Sequence, residues 1–403
     1  MRIVLATETF LPHIDGIVTR LTHTITNLRR AGDDVLVVTP WRPNSPSEFI
    51  GATVLTIPSM ALPLYKDVYI GLPVLPPHIE KSISEFRPDI MHAVSPSFLG
   101  LGLVLSARRR HIPLVCSYHV QYPEYVARYN LHALVPFVRW YLRTVHNRAA
   151  LNLATSMPMV HDLRARGFKN MQHWRAGVDA TMFHPSKAST EWRRKITDNH
   201  PDDFVLICVA RLAIEKEIER LIPVLQTLPG VRLVVVGDGP AKDYLHAAFA
   251  GLPVVFTGMI RDKNELAAAY ASADAFVLPS STETLGLVAL EAMAAGIPAI
   301  VANRGGLPDI IVNGITGYLY DPEDPNDLAA HILALQRAPD LRNAMAHAAR
   351  THAEQFSWEQ TTVQLRHYYE GLLGQLDSDN SEAVHNVSVE SLSQEYVKLP
   401  PQE

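Results

Sequence analysis

Phe204-Val205-Leu206-Ile207-Cys208-Val209-Ala210-Arg211 is a short β-branched run closed by a charge, and it restarts a pattern that has stopped. His184-Pro185-Ser186 breaks the chain before it, and residues 186–203 are polar and charged. Upstream of the break, strands read at Arg2–Thr7, Asp34–Pro40, Val54–Pro58, Ile90–Val94, Pro113–His119, Leu151–Ser156 and Trp174–Val178. Downstream they continue at Arg232–Gly237, Val254–Thr257, Ala275–Pro279 and Pro298–Ala302. Amphipathic stretches separate the strands almost throughout, the pattern of parallel sheets wrapped by crossover helices. The fold class is therefore α/β, with two doubly wound parallel-sheet domains joined near residues 185–203. Ligand is expected where the C-terminal strand ends of the two domains face each other across a cleft. The domains divide as 1–185 and 186–374, with a last helix at about 357–374 returning to the first domain. Residues 375–403 are Ser-, Asn- and Glu-rich without helical period and predict a disordered acidic tail.

The 403 residues suit two or three domains, and 47% apolar with 19% charged residues excludes general disorder. Every apolar stretch is cut well short of the ~20 residues of a membrane-spanning helix. The N-terminus turns polar at Glu8, before the roughly 7–15 apolar residues of a secretory signal. The expectation is an unexported, cytoplasmic protein. Cys116 and Cys208 lie inside apolar runs and predict buried thiols rather than a metal cluster or disulfide framework. The net charge of −5 hides an asymmetry: residues 1–200 carry 23 Lys and Arg against 14 Asp and Glu, and residues 201–403 carry 13 against 27. A basic front half on an acidic protein argues against nucleic acid as the partner and permits an anionic surface or substrate.

Four places carry chemistry. Asp15-Gly16-Ile17 lies between the first strand and the amphipathic run Val18–Arg29, so the backbone at Gly16 either approaches a phosphate above a helix N-terminus or makes an ordinary turn. Arg211 and Lys216 follow the second domain's first strand and either converge on a diphosphate or, with Glu215, Glu217 and Glu219 among them, form a solvated charged face. In Ser281-Thr282-Glu283-Thr284-Leu285-Gly286-Leu287-Val288-Ala289-Leu290-Glu291, Glu283 falls in a loop and Glu291 inside an apolar helix beginning near Gly286. A carboxylate there needs a partner, either ribose hydroxyls or a structural cation, and the free N–H groups of Gly286 and Leu287 suit a diphosphate. His119, at a strand's C-terminal end, either reaches a substrate hydroxyl or belongs to the core. The only D-x-D, Asp377-Ser378-Asp379, falls in the tail, so metal independence is expected, with cationic side chains and helix ends stabilising the leaving group.

Two stretches suggest an interface. Residues 61–77, with Leu64, Tyr65 and Tyr69, read as a Pro-rich apolar loop, and Phe137-Val138-Arg139-Trp140-Tyr141-Leu142-Arg143 mixes aromatics with cations. Residues 101–150 hold seven Arg and Lys against one acid. Apolar anchors beside arginines suit an anionic bilayer, while a core helix with a solvated basic side explains 137–148 equally well.

The Glu283-to-Glu291 pair, Arg211 with Lys216, the Gly237-Asp238-Gly239-Pro240 turn and Gly305-Gly306-Leu307-Pro308-Asp309 together resemble the family 4 retaining glycosyltransferases of GT-B fold, over about residues 1–370. Within that family, Phe256-Thr257-Gly258-Met259, Ala269-Tyr270-Ala271-Ser272, Glu283–Val288, Ser117-Tyr118-His119 and Trp174-Arg175-Ala176-Gly177-Val178-Asp179 look most like the sulfoquinovosyltransferases of sulfolipid synthesis. The resemblance implies that Glu291 binds the ribose, Glu283 and His119 the donor sugar, Arg211 and Lys216 the diphosphate, and Gly16 the phosphates from across the cleft. It implies UDP-sulfoquinovose as donor and diacylglycerol as acceptor, with no cofactor. It also implies front-side attack with retention, by a protein peripheral on the inner face of a thylakoid or plasma membrane. Val120 and Gln121 stand where the sulfolipid enzymes have Thr-His, and Ala210 where they have Gly. A relative using GDP-mannose or UDP-glucose shares the main motifs. A sugar-nucleotide epimerase of the same fold has no use for the 61–77 segment, and a non-catalytic nucleotide-binding module predicts the loss of a charged residue, where none is lost.

Overall fold

The computed structural model describes residues 1–374 except 63, 64 and 129, and side chains throughout these except at 62–68 and 125. The tail from 375 and Leu64 therefore lie outside the described residues. In chain order the first ten strands are β1 (Arg2–Thr7), β2 (Asp34–Pro40), β3 (Glu48–Phe49), β4 (Ala52–Ile57), β5 (Ser59–Leu62), β6 (Tyr65–Gly71), β7 (Ile90–Val94), β8 (Leu114–Tyr118), β9 (Leu151–Ala154) and β10 (Met171–His173). Eight of them form one sheet in the order β10-β9-β8-β7-β1-β2-β4-β3, parallel except for the β3–β4 edge, and β5–β6 make a separate antiparallel hairpin. The remaining strands are β11 (Phe204–Val209), β12 (Val231–Val236), β13 (Val254–Gly258), β14 (Ala275–Leu278), β15 (Ala299–Ala302) and β16 (Gly317–Tyr320). They form an all-parallel sheet ordered β13-β12-β11-β14-β15-β16.

Near-continuous Val, Ile, Leu and Ala composition suits these strands to sheets covered on both faces, and β1, β7, β8, β14 and β15 are buried along almost their whole length. Each sheet reverses its winding once, between β1 and β7 in the first and between β11 and β14 in the second. Strand C-termini at such reversals splay their loops apart and open a crevice. Cys116 and Cys208 are both fully buried and unpaired.

Two expectations are corrected. Trp174–Val178 is not a strand; the sheet ends at β10, and the chain then runs along the helix Trp358–Leu372 instead. There the Trp174 Nε1–H donates to the Thr361 carbonyl at 3.0 Å, and the Val178 N–H donates to the Phe356 carbonyl at 2.7 Å. The alternation that mimics a strand in this segment reflects packing on that helix. Residues 61–77 are not a loop either: most of the stretch is the β5–β6 hairpin, packed near β2 and the helix Phe98–Arg110, and Pro77 opens the helix Pro77–Phe86. The short strands β3, β10 and β16 are additions.

Candidate active site

The helix Gly16–Arg30 starts in the loop after β1, where Asp15 Oδ1 accepts from the Val18 N–H at 2.8 Å. The helix Leu287–Ala294 starts in the loop after β14 at Gly286, whose φ of +65° is a left-handed cap, with no side chain closing the end. The two starts meet across the cleft: a Cβ on Gly16 would stand 3.7 Å from Leu287 Cδ1. Residues Gly16, Gly286 and Leu287 thus share one place, and helix N-termini favour negative charge there.

Because β11 and β14 are neighbours, their following loops converge. Lys216, after β11, makes an ion pair with Glu283, after β14, both largely buried. Arg211 pairs with Glu215, which is buried. Glu217 is buried as well, bound by Arg128, Arg220 and the Ser281 hydroxyl. Glu215 and Glu217 are therefore not part of a solvated face, while Arg211 and Arg220 stay exposed. The Ser280 and Thr282 hydroxyls both donate to the Glu215 carbonyl, at 3.2 and 3.3 Å, tying the two loops together.

Glu291 is the fifth of its helix's eight residues, just over one turn in. Its Oε2 accepts from the Tyr270 hydroxyl at 3.1 Å, and burial pushes its carboxyl up to about 7, the hydroxyl opposing this in part. Lys263 is near enough to favour its charge, but no lysine or arginine makes an ion pair with it among the described residues.

Across the cleft, His119 follows β8 and is buried. Its Nε2 is 2.9 Å from Ser117 Oγ, and its ring stands edge-on to Trp174 at 5.8 Å. Burial first, then nearby Arg20, holds its imidazole well below the ordinary pKa of 6.5, so it is neutral. Its carbonyl accepts from Thr284 Oγ1 at 2.7 Å, placing it against the residue that follows Glu283.

Several residues act here in ways the sequence does not assign. Thr284 bridges the domains, its carbonyl also accepting from Thr155 Oγ1 at 2.5 Å. Arg128 reaches across to Glu217 and to Ser281 Oγ, the latter at 2.8 Å; only the general excess of arginines in 101–150 signals it. Gly305 and Gly306 brace the Glu283 loop: the Gly306 N–H donates to the Glu283 carbonyl at 2.7 Å, and a Cβ at 306 would fall 2.3 Å from the Thr284 carbonyl. Backbone packed that closely admits only glycine.

At the periphery, the helix Val135–His146 exposes Phe137 and Trp140, their rings 5.8 Å apart, beside exposed Arg139 and Arg143. Trp140 is thus on the surface and not in a core. Tyr69 is half-buried on β6 under the Arg42 guanidinium at 5.3 Å, and the exposed apolar side chains around the hairpin are Met60, Leu72 and Val74. Tyr65 belongs to β6, and its side chain lies outside the described residues. Among the described residues, no group of three or more His, Cys, Asp or Glu is placed to hold a metal ion, and no helix is long and apolar enough to cross a membrane.

Two doubly wound domains, with helix starts that meet between them and paired charges in the loops after β11 and β14, make up the GT-B arrangement. Residues 14–181 match the family Glycosyltransferase Family 4, and residues 189–352 match Glycosyl transferases group 1. The chain is 38% identical to the sulfoquinovosyl transferase SQD2 of Arabidopsis thaliana over 360 residues, 88% of this chain and 70% of that protein. It is 32% identical to a GDP-mannose-dependent alpha-mannosyltransferase of Corynebacterium glutamicum over 372 residues, 92% of this chain and 88% of that one. The structure of sucrose-phosphate synthase from Thermosynechococcus elongatus matches with a TM-score of 0.75 at 21% identity, covering 93% of this chain and 100% of that one. The chain belongs to the family 4 glycosyltransferases.

Proposed function

We propose that the protein transfers sulfoquinovose from UDP-sulfoquinovose to diacylglycerol, with retention, while docked on the inner face of a membrane. The observation that carries this reading is the 38% identity to a sulfoquinovosyl transferase over 88% of the chain. In this reading the donor diphosphate lies at the Gly286–Leu287 helix start, faced by Gly16, with Arg211 and Lys216 offsetting the charge that builds on the leaving group. Glu291 accepts from the ribose hydroxyls. Lys216 is shared between Glu283 and the phosphate, and Glu283 and His119 hold the sugar. The acceptor oxygen attacks the anomeric carbon from the face that UDP leaves. The carbon–oxygen bond to phosphate breaks as the new one forms, and the departing phosphate oxygen takes the acceptor proton. No metal is given a part.

A second reading, GDP-mannose as donor, is favoured by one observation: Val120 and Gln121 replace Thr-His beside His119. The test offers purified protein and vesicle-embedded diacylglycerol each of UDP-sulfoquinovose, UDP-glucose and GDP-mannose, in excess EDTA, with lipid products identified by mass. Sulfoquinovosyldiacylglycerol is expected as the fastest product, at a rate EDTA leaves unchanged. Equal or faster turnover of GDP-mannose transfers the assignment to the second reading.

A further inference from the structure

A line of four buried side chains connects the last helix to His119. The Tyr369 hydroxyl is 2.6 Å from His92 Nδ1, His92 Nε2 is 2.8 Å from Ser117 Oγ, and Ser117 Oγ is 2.9 Å from His119 Nε2. His92 lies on β7, Ser117 on β8, and Tyr369 on the helix Trp358–Leu372. All but His119 are at most 1% exposed.

Both imidazoles are neutral, because burial, aided by the Arg20 cation, pushes His92 down to about 3 and His119 well below its ordinary range. Each neutral imidazole has one N–H and one bare nitrogen. The two histidines are the only hydrogen-bond partners of the Ser117 hydroxyl among the described residues, so its one proton is satisfied by donating to one of them, and it accepts from the other. Only two polarities of the whole line are then consistent. Tyr369 decides between them. His92 is the one hydrogen-bond partner of its hydroxyl among the described residues, and a buried O–H that only accepts leaves its proton unsatisfied. Tyr369 therefore donates to His92 Nδ1, the His92 Nε2–H donates to Ser117, and the Ser117 O–H donates to His119 Nε2.

We propose that this relay fixes His119 as the Nδ1–H tautomer, making it a hydrogen-bond donor toward the sugar, with Tyr369, His92 and Ser117 as positioning residues. The inference rests on the reading that His119 faces the donor sugar. It adds the chemistry of that contact: the group met by Nδ1–H must be an acceptor, which a sulfonate oxygen always is and a hydroxyl is only in one orientation. It also ties the last helix to the site, because the polarity originates on Tyr369.

The full chain labelled with nitrogen-15 histidine reports the tautomer directly, through the distinct shifts of protonated and bare ring nitrogens, with His119→Gln identifying the signal. The expected result is Nδ1–H in the wild type and loss of that single state in Tyr369→Phe. An Nε2–H wild type, or a signal unmoved in Tyr369→Phe, overturns the proposal. In kinetics, Tyr369→Phe and Ser117→Ala are each expected to raise the donor KM about 3- to 10-fold, the scale of one hydrogen bond, while UDP binding is unchanged. A parallel loss of UDP binding marks general loosening and also overturns it. Wild-type donor KM in His119→Gln overturns the sugar contact itself, and the function given to the relay with it, whatever tautomer is observed.

Discussion

Glu291 is the residue whose chemistry is most constrained by its surroundings. Its carboxyl titrates near 7 in the fold, against an ordinary 4.5, because burial disfavours its charge. Between those values the folded state binds the extra proton, so stability is full below about 4.5 and falls as pH rises through 7. The loss is on the order of 3 kcal/mol. Glu291→Gln, neutral throughout, should therefore gain several degrees in Tm over the wild type at pH 8 and little at pH 5. Its kcat/KM should fall at least about 30-fold, the equivalent of about 2 kcal/mol, if ribose hydroxyls use the carboxylate. A Tm difference that does not vary with pH would place the carboxyl in water. A charge inside Leu287-Val288-Ala289-Leu290-Glu291-Ala292-Met293 stands out in sequence because nothing apolar needs it there. The Lys216–Glu283 pair does not stand out, because 67 residues separate its members and only the neighbouring of β11 and β14 brings them together.

Elements were legible where one periodicity dominated. The runs at β1, β2, β7, β8, β11 and β12 carry enough β-branched residues to mark a strand, whereas β16, four residues opened by Gly317, carries too little signal. Trp174–Val178 misleads because its apolar residues answer to another helix, with the Arg20 guanidinium 3.7 Å above the Trp174 ring. The β5–β6 hairpin reads as a loop because Pro58 and Pro73 bracket it in the sequence and Pro63 falls between its two strands. The helix Val135–His146 is amphipathic in the other sense, turning Leu142 and Val145 inward and Phe137 and Trp140 outward. Aromatics and arginines on one exposed face bind anionic lipid by insertion plus about 1 kcal/mol per cation, weakened by salt. The expected outcome is that the wild type pellets with anionic vesicles at low salt and is partly released at high salt. Phe137→Ser with Trp140→Ser should bind several-fold less while UDP affinity holds. Undiminished pelleting of the double variant would assign docking elsewhere, with the hairpin next to be examined.

At the scale of the whole molecule, the helix Trp358–Leu372 fastens the two sheets to each other. Its first residue, Trp358, packs in the core around β11 and β14, and its later residues Leu365 and Tyr369 pack with Ile3, Leu5, Leu21, Ile25 and Trp174 under the first sheet. Arg366 donates to buried Asp33 at 2.8 Å, the same carboxylate that binds the Met1 amino group. The first sheet's core is thus incomplete without the helix Trp358–Leu372, whose start packs in the second domain's core. Leu365→Ala removes a fully buried side chain and should cost about 2–5 kcal/mol. That cost belongs to one side of the cleft, because Leu365 contributes to the first core alone. Hydrogen exchange read by segment should accordingly find protection lost across β1, β2, β7 and β8 and retained across β11, β12 and β14. Trp358→Ala, by contrast, strikes the other core and the Gly177 contact, where a Cβ would come within 2.6 Å of the indole, and should lower protection on both sides. If Leu365→Ala loosens the two sheets equally, the molecule unfolds as one cooperative unit, and the last helix transmits stability across the cleft without loss.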